Sequence, residues 1–371
     1  VEPGLEDMVK KSVDKGNLHA FVSPKIADIF MIAVPTPFKD DHKPDLSYIK
    51  LAIQNIAPIV HQGNMIILES TVPVGTTEKI KEWLKEERSD LCFPEDDKDI
   101  GLEYISIAHC PERVLPGNVI NELINNNRII GGITTQCAER AKNFYDLFVQ
   151  GECIITDSRT AELSKLVENS YRDVNIAFAN ELSLIADKLD INVWELIKLA
   201  NLHPRVNILQ PGPGVGGHCI AVDPWFIIDS APNESNLIRE ARLVNDRKPE
   251  FICKKIEQAA QKINVKKSEL VIACLGLSFK PNIDDLRESP AMKISKDVEL
   301  MGFKINYICE PNIKLIPEIF DSTKTQLVDF SKALSESDIL VLLVDHEEFK
   351  KIEFSFLINK EVIDSRGIWT R

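Results

Sequence analysis

The sequence predicts an α/β protein in which two doubly wound domains, each a mainly parallel sheet covered by helices, are joined by a long central helix. Near both ends of the chain, short apolar runs bounded by Pro, Gly or polar residues alternate with helical patterns, which is typical of strand–helix–strand units. Between these regions, residues 158–203 contain neither Gly nor Pro, which favours a long helix. The length of 371 residues is sufficient for two or three domains.

The first domain is predicted over residues 1–157 as a Rossmann-like sheet. Continuous apolar runs predict buried parallel strands at 29–34, 65–68, 104–108, 128–130 and 153–155. Ligands of such domains bind at the carboxyl ends of the strands. Residues that follow the first three strands are therefore candidates for ligand contacts, and they include Thr36, Ser70, Thr71 and Glu112.

A dinucleotide-binding domain of this kind also needs a first strand, a glycine loop of the pattern GxGxxG and a helix. No such motif lies between Val1 and the strand at 29–34. If the domain binds a dinucleotide, the numbered chain is expected to begin inside it, with the strand–glycine loop–helix unit absent from it. Without that unit, the residues alone do not distinguish NAD from NADP.

The central region is predicted over residues 158–248. Apolar residues follow helical spacing from Leu163 to Leu189, and a second helix continues through 193–197. Lys165 and Asn169 lie four residues apart and share one helix face, and Arg172 falls on the next turn. This polar face is either a solvated surface or part of a site.

A loop rich in glycine and proline follows these helices. Residues 211–217 contain four Gly and two Pro, a composition that excludes a helix or a central strand. Such a loop can bring backbone amides close to a ligand and present the thiol of Cys219. The alternative interpretation is a structural turn that ends in a buried cysteine.

The third domain is predicted over residues 249–371. Apolar strands at 270–275, 304–308, 339–344 and 362–363 indicate a second Rossmann-like sheet. Polar loops at 276–281 and 284–290 connect its first strand to the next helix. A loop of this kind occurs in any α/β fold, so its position alone does not indicate a nucleotide site.

Composition limits the partners and the compartment. The net charge is −13, with acidic and basic residues interspersed, which argues against nucleic acid or a membrane surface as a partner but permits an anionic substrate. No apolar run approaches the ~20 residues of a membrane span. Eight cysteines without a CxxC pair or metal-ligand spacing indicate a reducing, cytoplasmic environment. Neither a disulfide nor a metal is expected.

Three motifs resemble the UDP-glucose/GDP-mannose dehydrogenase family over essentially the whole chain. They are ELSKLVENSYRDVNIAFANE at 162–181, HPRVNILQPGPGVGGHCIAVDPWF at 203–226, and GLSFKPN with DLRESPA at 276–282 and 285–291. The resemblance implies an NAD-dependent, four-electron oxidation of the primary alcohol of a UDP-sugar. UDP-N-acetyl-D-mannosamine is the expected substrate, and UDP-N-acetylglucosamine or UDP-glucose are the alternatives. It also implies a homodimer or a dimer of dimers.

The resemblance assigns the catalytic roles. Cys219 is the expected nucleophile, Lys165 and Asn169 stabilise the oxyanion, and Thr71 positions a water molecule. Glu112 and Asp223 are candidates for activating that water. For Asp223 a second interpretation stays open, in which it only caps the helix that begins at Pro224.

The resemblance further implies contacts to substrate and cofactor. The implied substrate contacts are Arg113, Val114, Lys165, Asn169, Arg172, His203, Arg205, Gly214, Gly216, Phe279 and Lys280. The implied cofactor contacts are Thr36, Ser70, Thr71 and Arg287. His203 and Arg205 could act from a neighbouring subunit, although a His before a Pro is more often a surface residue.

The sequence departs from the family at one position. The UDP-glucose enzymes have a second glutamate four residues after the first, and Pro116 occupies that position here. We expect the loop 112–117 to hold the sugar differently, with the fork of Arg113 binding an N-acetyl carbonyl or a phosphate oxygen.

The alternative from another functional class is a non-catalytic binding protein on a dehydrogenase scaffold. Such a protein would lose the reactive side chains and keep the glycines. Cys219, Lys165, Asn169, Glu112 and Asp223 are all present, which favours an enzyme.

Overall fold

The computed structural model describes residues 2–94, 104–114, 117–217 and 219–369. The chain divides into two compact units. The first comprises Val1–Glu168 with Trp225–Glu234, and the second comprises Asn169–Pro224 with Ser235–Arg371.

The first unit is built on a sheet whose described part has five strands in the order β1-β2-β3-β4-β5. Their bounds are β1 (Ile29–Ile32), β2 (Met65–Leu68), β3 (Ser106–His109), β4 (Arg128–Gly132) and β5 (Cys153–Asp157). All pairs are parallel except β3 with β4, which is antiparallel. All five strands are predicted by the apolar runs, but the reversal of β4 is not.

The described helices of this part of the chain are α1 (Leu5–Asp14), α2 (Ser47–Ile56), α3 (Thr76–Glu87), α4 (Val119–Asn125) and α5 (Thr135–Tyr145). Helices α2 and α3 pack on one face of the sheet and α5 packs on the other, whereas α1 and α4 have no buried residues. Ile49, Ile53 and Leu84 are buried against strand residues such as Leu68 in the main apolar cluster. The predicted alternation of strands and helices is confirmed.

The next two helices are α6 (Ser158–Lys188), which continues into the second unit, and α7 (Val193–Ala200). Their bounds agree with the predicted helical region without Gly or Pro. They are followed by α8 (Asp223–Ser230). In the first unit, the ring of Trp225 on α8 stacks on His42, with ring centroids 4.1 Å apart.

The second unit contains the other sheet, with the order β10-β9-β6-β7-β8 and parallel pairing throughout its described strands. Its strands are β6 (Val271–Leu275), β7 (Ile305–Cys309), β8 (Thr325–Leu327), β9 (Ile339–Leu342) and β10 (Glu361–Asp364), and its helices are α9 (Asn236–Lys262), α10 (Pro290–Leu300) and α11 (Phe330–Glu336). The strand order reverses at β6, so the loop after β6 lies at a switch point, where such sheets bind ligands.

Polar pairs join α6 and α9 within the second unit. Arg242 and Asp173 form an ion pair that is inaccessible to solvent, and Asn180 hydrogen bonds to Asn245 at 2.9 Å. Burial raises the pKa of Asp173 to about 6, although the Arg242 charge acts in the opposite direction. Pro249, where the sequence predicts a third domain to begin, lies inside the continuous helix α9.

Within the described residues, no helix has both the length and the apolar character needed to cross a membrane.

Candidate functional site

The glycine loop of the second unit packs directly on the segment 279–290 that follows β6. A Cβ added to Gly216 would lie 2.5 Å from the carbonyl oxygen of Glu288, 2.7 Å from Cδ of Pro290 and 2.9 Å from Cβ of Phe279. Gly217 has φ +83° and faces the Phe279 ring. These glycines are therefore required for the approach of two protein segments. Predicted substrate residues Gly214, Gly216 and Phe279 come together in this packing.

Cys219 lies just beyond this loop with an exposed side chain. Its carbonyl oxygen accepts hydrogen bonds from the amides of Val222 at 3.0 Å and Asp223 at 2.9 Å, which form the turn that leads into α8. The alternative interpretation of a buried cysteine is therefore wrong. All eight cysteines are described, and none is in a disulfide.

Asn169 and Asp223 are brought together by the structure. The amide Nδ2 of Asn169, on α6, donates to Oδ2 of Asp223 at 2.6 Å, and Asp223 is only 3% exposed. This bond orients the Asp223 carboxylate toward the helix that also carries Lys165. Capping of α8 and activation of water both stay open for Asp223.

Arg287 is exposed and paired with a neighbouring carboxylate. Its Nη2 lies 2.6 Å from Oδ2 of Asp285, and its Nε lies 2.9 Å from Oδ1. The hydrogen bonds and charge of Asp285 raise the pKa of Arg287, with a smaller contribution from the Cys219 thiolate. The guanidinium is therefore close enough to Cys219 for their charges to interact. An anionic ligand that binds Arg287 would have to share the guanidinium with Asp285.

Glu310 and His346, which lie outside the three motifs, hold the loop after β6 in place by hydrogen bonds. Glu310, directly after β7, accepts from the amides of Leu277 at 2.7 Å and Ser278 at 3.1 Å, and lies 3.0 Å from Nε2 of His346. Burial acts to raise the pKa of Glu310, but the hydrogen bonds from His346 and the amides outweigh it and lower the pKa to about 2. This support fixes the backbone that carries Phe279 and the exposed Lys280.

A further residue missed by sequence reasoning is Arg366. Its Nε donates to Oδ1 of Asp345 at 2.8 Å, and it lines a small cleft together with Gly214 and Phe279. A Cβ on Gly212 would lie 2.5 Å from its Nη1. Its position just after β10, at the carboxyl edge of the sheet, is the signal that could have indicated it.

In the first unit, hydroxyl groups tie together the ends of β1 and β2. The Ser70 hydroxyl accepts from the Val34 amide at 2.8 Å and donates to the Val34 carbonyl at 2.7 Å. The Thr36 hydroxyl donates to the Thr71 carbonyl at 2.7 Å. All the predicted cofactor residues of this unit thus lie at one sheet edge. Ser70 and Thr36 use their hydroxyls to shape that edge.

The first turn of α6 is clamped to the N-terminus of α3. The buried carboxylate of Glu162 accepts from the amide of Gly75 at 2.5 Å, and from the amide and hydroxyl of Thr77 at 2.7 and 2.6 Å. Arg159 adds an ion pair to Glu78 at 2.7 Å. Lys165 follows one turn after Glu162 and is half-buried. The clamp therefore sets the position of Lys165 relative to the Thr71 loop, since both belong to this unit.

The loop after β3 presents Glu112, Arg113 and Val114, all half-buried. Nη2 of Arg113 lies 2.8 Å from Oε1 of Glu168, one turn beyond Lys165 on α6. Oε2 of Glu112 lies 3.5 Å from Nη2 of Arg128. Leu115 and Pro116 lie outside the described residues.

Arg172, His203 and Arg205 are exposed. Nδ1 of His203 accepts from the Arg205 amide at 3.3 Å, which shapes the local turn. Their roles stay predictions.

Comparison with known proteins gives matches along the chain. Models of the UDP-glucose/GDP-mannose dehydrogenase family match residues 1–149 as the NAD binding domain, 159–247 as the central domain and 273–371 as the UDP binding domain. A UDP-N-acetyl-D-mannosamine dehydrogenase of Campylobacter jejuni is 57% identical over 95% of this chain and 86% of the relative. An NDP-N-acetyl-D-galactosaminuronic acid dehydrogenase of Ralstonia solanacearum is 54% identical over 100% of this chain and 86% of the relative.

Among solved structures, a UDP-D-ManNAc dehydrogenase from Pyrococcus horikoshii is similar with a TM-score of 0.86 and 36% identity, over 100% of this chain and 85% of that one. The protein is an oxidoreductase with an NAD binding domain and a UDP binding domain. The resemblance found in the three motifs is confirmed, and the chain belongs to the UDP-glucose/GDP-mannose dehydrogenase family.

Proposed function

We propose that this enzyme oxidises C6 of UDP-N-acetyl-D-mannosamine to give UDP-N-acetyl-D-mannosaminuronic acid, a precursor for polysaccharide or glycan synthesis. The observation that carries the proposal is the exposed thiol of Cys219, which follows a loop packed on Phe279 in the UDP binding domain. Relatives at 57% and 53% identity that carry the name UDP-N-acetyl-D-mannosamine dehydrogenase support the choice of sugar.

Oxidation of an alcohol to a carboxylate removes four electrons, so an aldehyde must be oxidised in a second step. The Cys219 thiolate adds to the aldehyde carbon, and the resulting thiohemiacetal loses a hydride to become a thioester. Water then cleaves the thioester and restores the thiol. A cation beside the thiol would favour the thiolate, and Arg287 is the candidate for that cation.

NAD, when bound, accepts one hydride in each of the two oxidations. The edge where Thr36, Ser70 and Thr71 meet fits this ligand because it lies at the carboxyl ends of parallel strands and is shaped by side-chain hydrogen bonds. Thr71 and the backbone beside it would contact the dinucleotide, and Ser70 and Thr36 would hold the loops.

The remaining side chains stabilise the tetrahedral intermediates and activate the water that cleaves the thioester. Lys165 and Asn169 donate to the oxyanion, where loss of one such donor typically costs ~3–4 kcal/mol. Glu112 or Asp223 removes a proton from the attacking water, and Thr71 positions that water. Phe279, Lys280, Gly214 and Gly216 hold the UDP-sugar.

Arg113, Val114 and Arg172 complete the proposed sugar contacts, with His203 and Arg205 supplied by a neighbouring subunit. Arg366, in the cleft beside Phe279, is suited to phosphate oxygens because its planar fork binds two oxygens at once. The proposed domains are residues 1–157, 158–248 and 249–371.

A second sugar is supported by the 54% identical relative named as an NDP-N-acetyl-D-galactosaminuronic acid dehydrogenase. UDP-N-acetylglucosamine and UDP-glucose are two more candidate substrates. NADH release would be measured on the N-acetylmannosamine, N-acetylgalactosamine, N-acetylglucosamine and glucose nucleotides. We expect the highest kcat/KM with UDP-N-acetyl-D-mannosamine, and a higher value for any of the remaining three sugars would refute this choice.

We propose that α6 also joins two subunits in a homodimer or a dimer of dimers. One face of this helix carries exposed apolar side chains at helical spacing: Leu163, Val167, Tyr171, Phe178 and Ile185, between 40% and 69% exposed. Lys165 and Asn169 project from the opposite face. Light scattering of Phe178→Asp should show monomers, whereas an unchanged dimer would exclude this face.

We also place the enzyme in the cytoplasm. The eight cysteines are free of disulfides and the Cys219 thiol is exposed, which fits a reducing compartment.

A further inference from the structure

Arg128 lies beside Glu112 because of the reversed strand β4. In the antiparallel pairing of β3 with β4, His109 is opposite Gly131. Continuing this register by three residues puts the first residue of β4 opposite Glu112. The observed distance of 3.5 Å between Nη2 of Arg128 and Oε2 of Glu112 agrees with that placement.

The Arg128 guanidinium is held in the core with few strong partners. It is 6% exposed, its Nη1 lies 3.9 Å from Sγ of Cys110, and its carbon lies 5.0 Å from the centre of the Tyr145 ring. Its Nε has no hydrogen-bond partner within the described part of the chain. A buried cation with so little compensation is costly, so its position calls for an explanation beyond packing.

The groups behind Arg128 form a connected chain. The Tyr145 hydroxyl donates to Oε1 of Glu69 at 2.7 Å. Burial raises the pKa of the Cys110 thiol to about 11 and also raises the pKa of Tyr145. Both are therefore neutral at pH 7. The carboxyl groups beside this cluster are Glu112, whose Oε2 lies 3.5 Å from Nη2 of Arg128, and Glu69, whose pKa is raised by burial. Of these two residues, Glu112 belongs to the loop after β3.

We propose that Arg128 is a positioning residue that holds the Glu112 carboxylate in place for activating water, with Tyr145 and Glu69 bracing it from the core. This inference rests on the role proposed for Glu112. It predicts that loss of Arg128 slows thioester hydrolysis, because that step needs the activated water. Binding of UDP-sugar and the formation of the thioester should be affected much less.

The test uses the full-length enzyme and the variants Arg128→Met, Arg128→Lys, Glu112→Gln and the double variant Arg128→Met with Glu112→Gln. Arg140→Met is the matched control, because Arg140 is a half-buried arginine of the same unit that hydrogen bonds to Ser106 and Gly63. The readouts are kcat, KM for the UDP-sugar, and the fraction of acylated enzyme by intact-protein mass spectrometry during turnover. Thermal melts report folding.

For Arg128→Met we expect kcat to fall by about 10- to 100-fold, which is less than the ~10²–10⁴-fold effect of a general base itself because Arg128 acts through Glu112. Acylated enzyme should accumulate. KM should fall together with kcat, so that kcat/KM changes little. Arg128→Lys should recover part of kcat, and Arg140→Met should keep it. In the Glu112→Gln background, Arg128→Met should cause little further loss, since it acts through Glu112. Should Arg128→Met not fold, the same comparison with Arg128→Lys decides the question.

Additive losses of kcat in the double variant would overturn the inference, as would a fall in kcat without acylated enzyme. Wild-type turnover by Glu112→Gln would remove the role proposed for Glu112 and this inference with it. Absence of NADH production by the wild-type enzyme on every UDP-sugar would instead overturn the proposed function itself.

Discussion

Substitution of Gly216 by Ala tests whether close packing of the glycine loop positions Cys219. The added Cβ would lie within 3 Å of a backbone oxygen, a proline ring carbon and the Cβ of Phe279. None of these is the end of a flexible side chain, so the loop itself must shift. Overpacking of this kind typically costs ~1–3 kcal/mol, which corresponds to a fall in Tm of about 2–12 °C for a unit of this size.

The activity should fall more than the stability alone requires, because Cys219 lies three residues after Gly216. We expect a lower kcat/KM at a temperature where the variant is fully folded, measured by NADH release beside a thermal melt. Gly302→Ala is the matched control, since Gly302 has φ +81° and no atom within 4 Å of an added Cβ. That control should lose about 1–2 kcal/mol through backbone strain but keep its kcat/KM. Wild-type kcat/KM in folded Gly216→Ala would refute the reasoning.

Three further predictions concern single charged groups. The pKa of Glu310 is about 2 in the folded protein and 4.5 in its reference state. Its ionisation therefore contributes about 3 kcal/mol to the free energy of unfolding above pH 5, and this contribution is lost as the pH falls toward 2. The free energy of unfolding, measured from pH 7 down to pH 2, should therefore depend less on pH in Glu310→Gln than in the wild type. Glu162→Ala leaves the amides of Gly75 and Thr77 without an acceptor, so urea unfolding should show a loss of ~1–3 kcal/mol, and kcat should fall because Lys165 is on the same helix turn. Arg287→Lys replaces a fork by a point charge, so KM for NAD should rise, and an unchanged KM would remove this residue from the cofactor site.

The regular elements could be predicted from sequence because buried strands and an amphipathic helix have strong local patterns. The apolar run at 65–68 is a fully buried strand, and the region from Ser158 without Gly or Pro is the helix α6. The strand β8 is not predictable in this way, since its three residues have no apolar run. The antiparallel direction of β4 has no local signal, because direction is set by how the chain returns to the sheet.

The three family motifs could be found by resemblance, but the side chains that support them could not be predicted. Glu162, Arg128 and Glu310 contact residues between 16 and 87 positions away in the sequence, so their partners become visible only in the fold. From the composition of the Cys219 loop, its glycines are predicted to let the backbone approach a ligand. The structure shows that at least Gly216 is needed for packing against the protein itself.

The pairing of Arg113 with Glu168 is another contact that no local pattern indicates. Sequence reasoning assigns the Arg113 fork to the sugar nucleotide. A substrate oxygen that binds Arg113 would therefore have to replace the Glu168 carboxylate or share the guanidinium with it. Glu168 lies on the same helix as Lys165.

The most direct test of the central claim is steady-state NADH production by Cys219→Ala, with folding verified by thermal melt. If the thiol forms the thioester, this variant should bind the UDP-sugar, form no adduct of UDP-sugar mass on the Cys219 peptide and show no sustained turnover, while a slow first oxidation can persist. Cys219→Ser should turn over poorly and could retain a trappable ester, because its hydroxyl is a weaker nucleophile. Sustained NADH production by well-folded Cys219→Ala at more than a few per cent of the wild-type rate would contradict covalent catalysis at this residue.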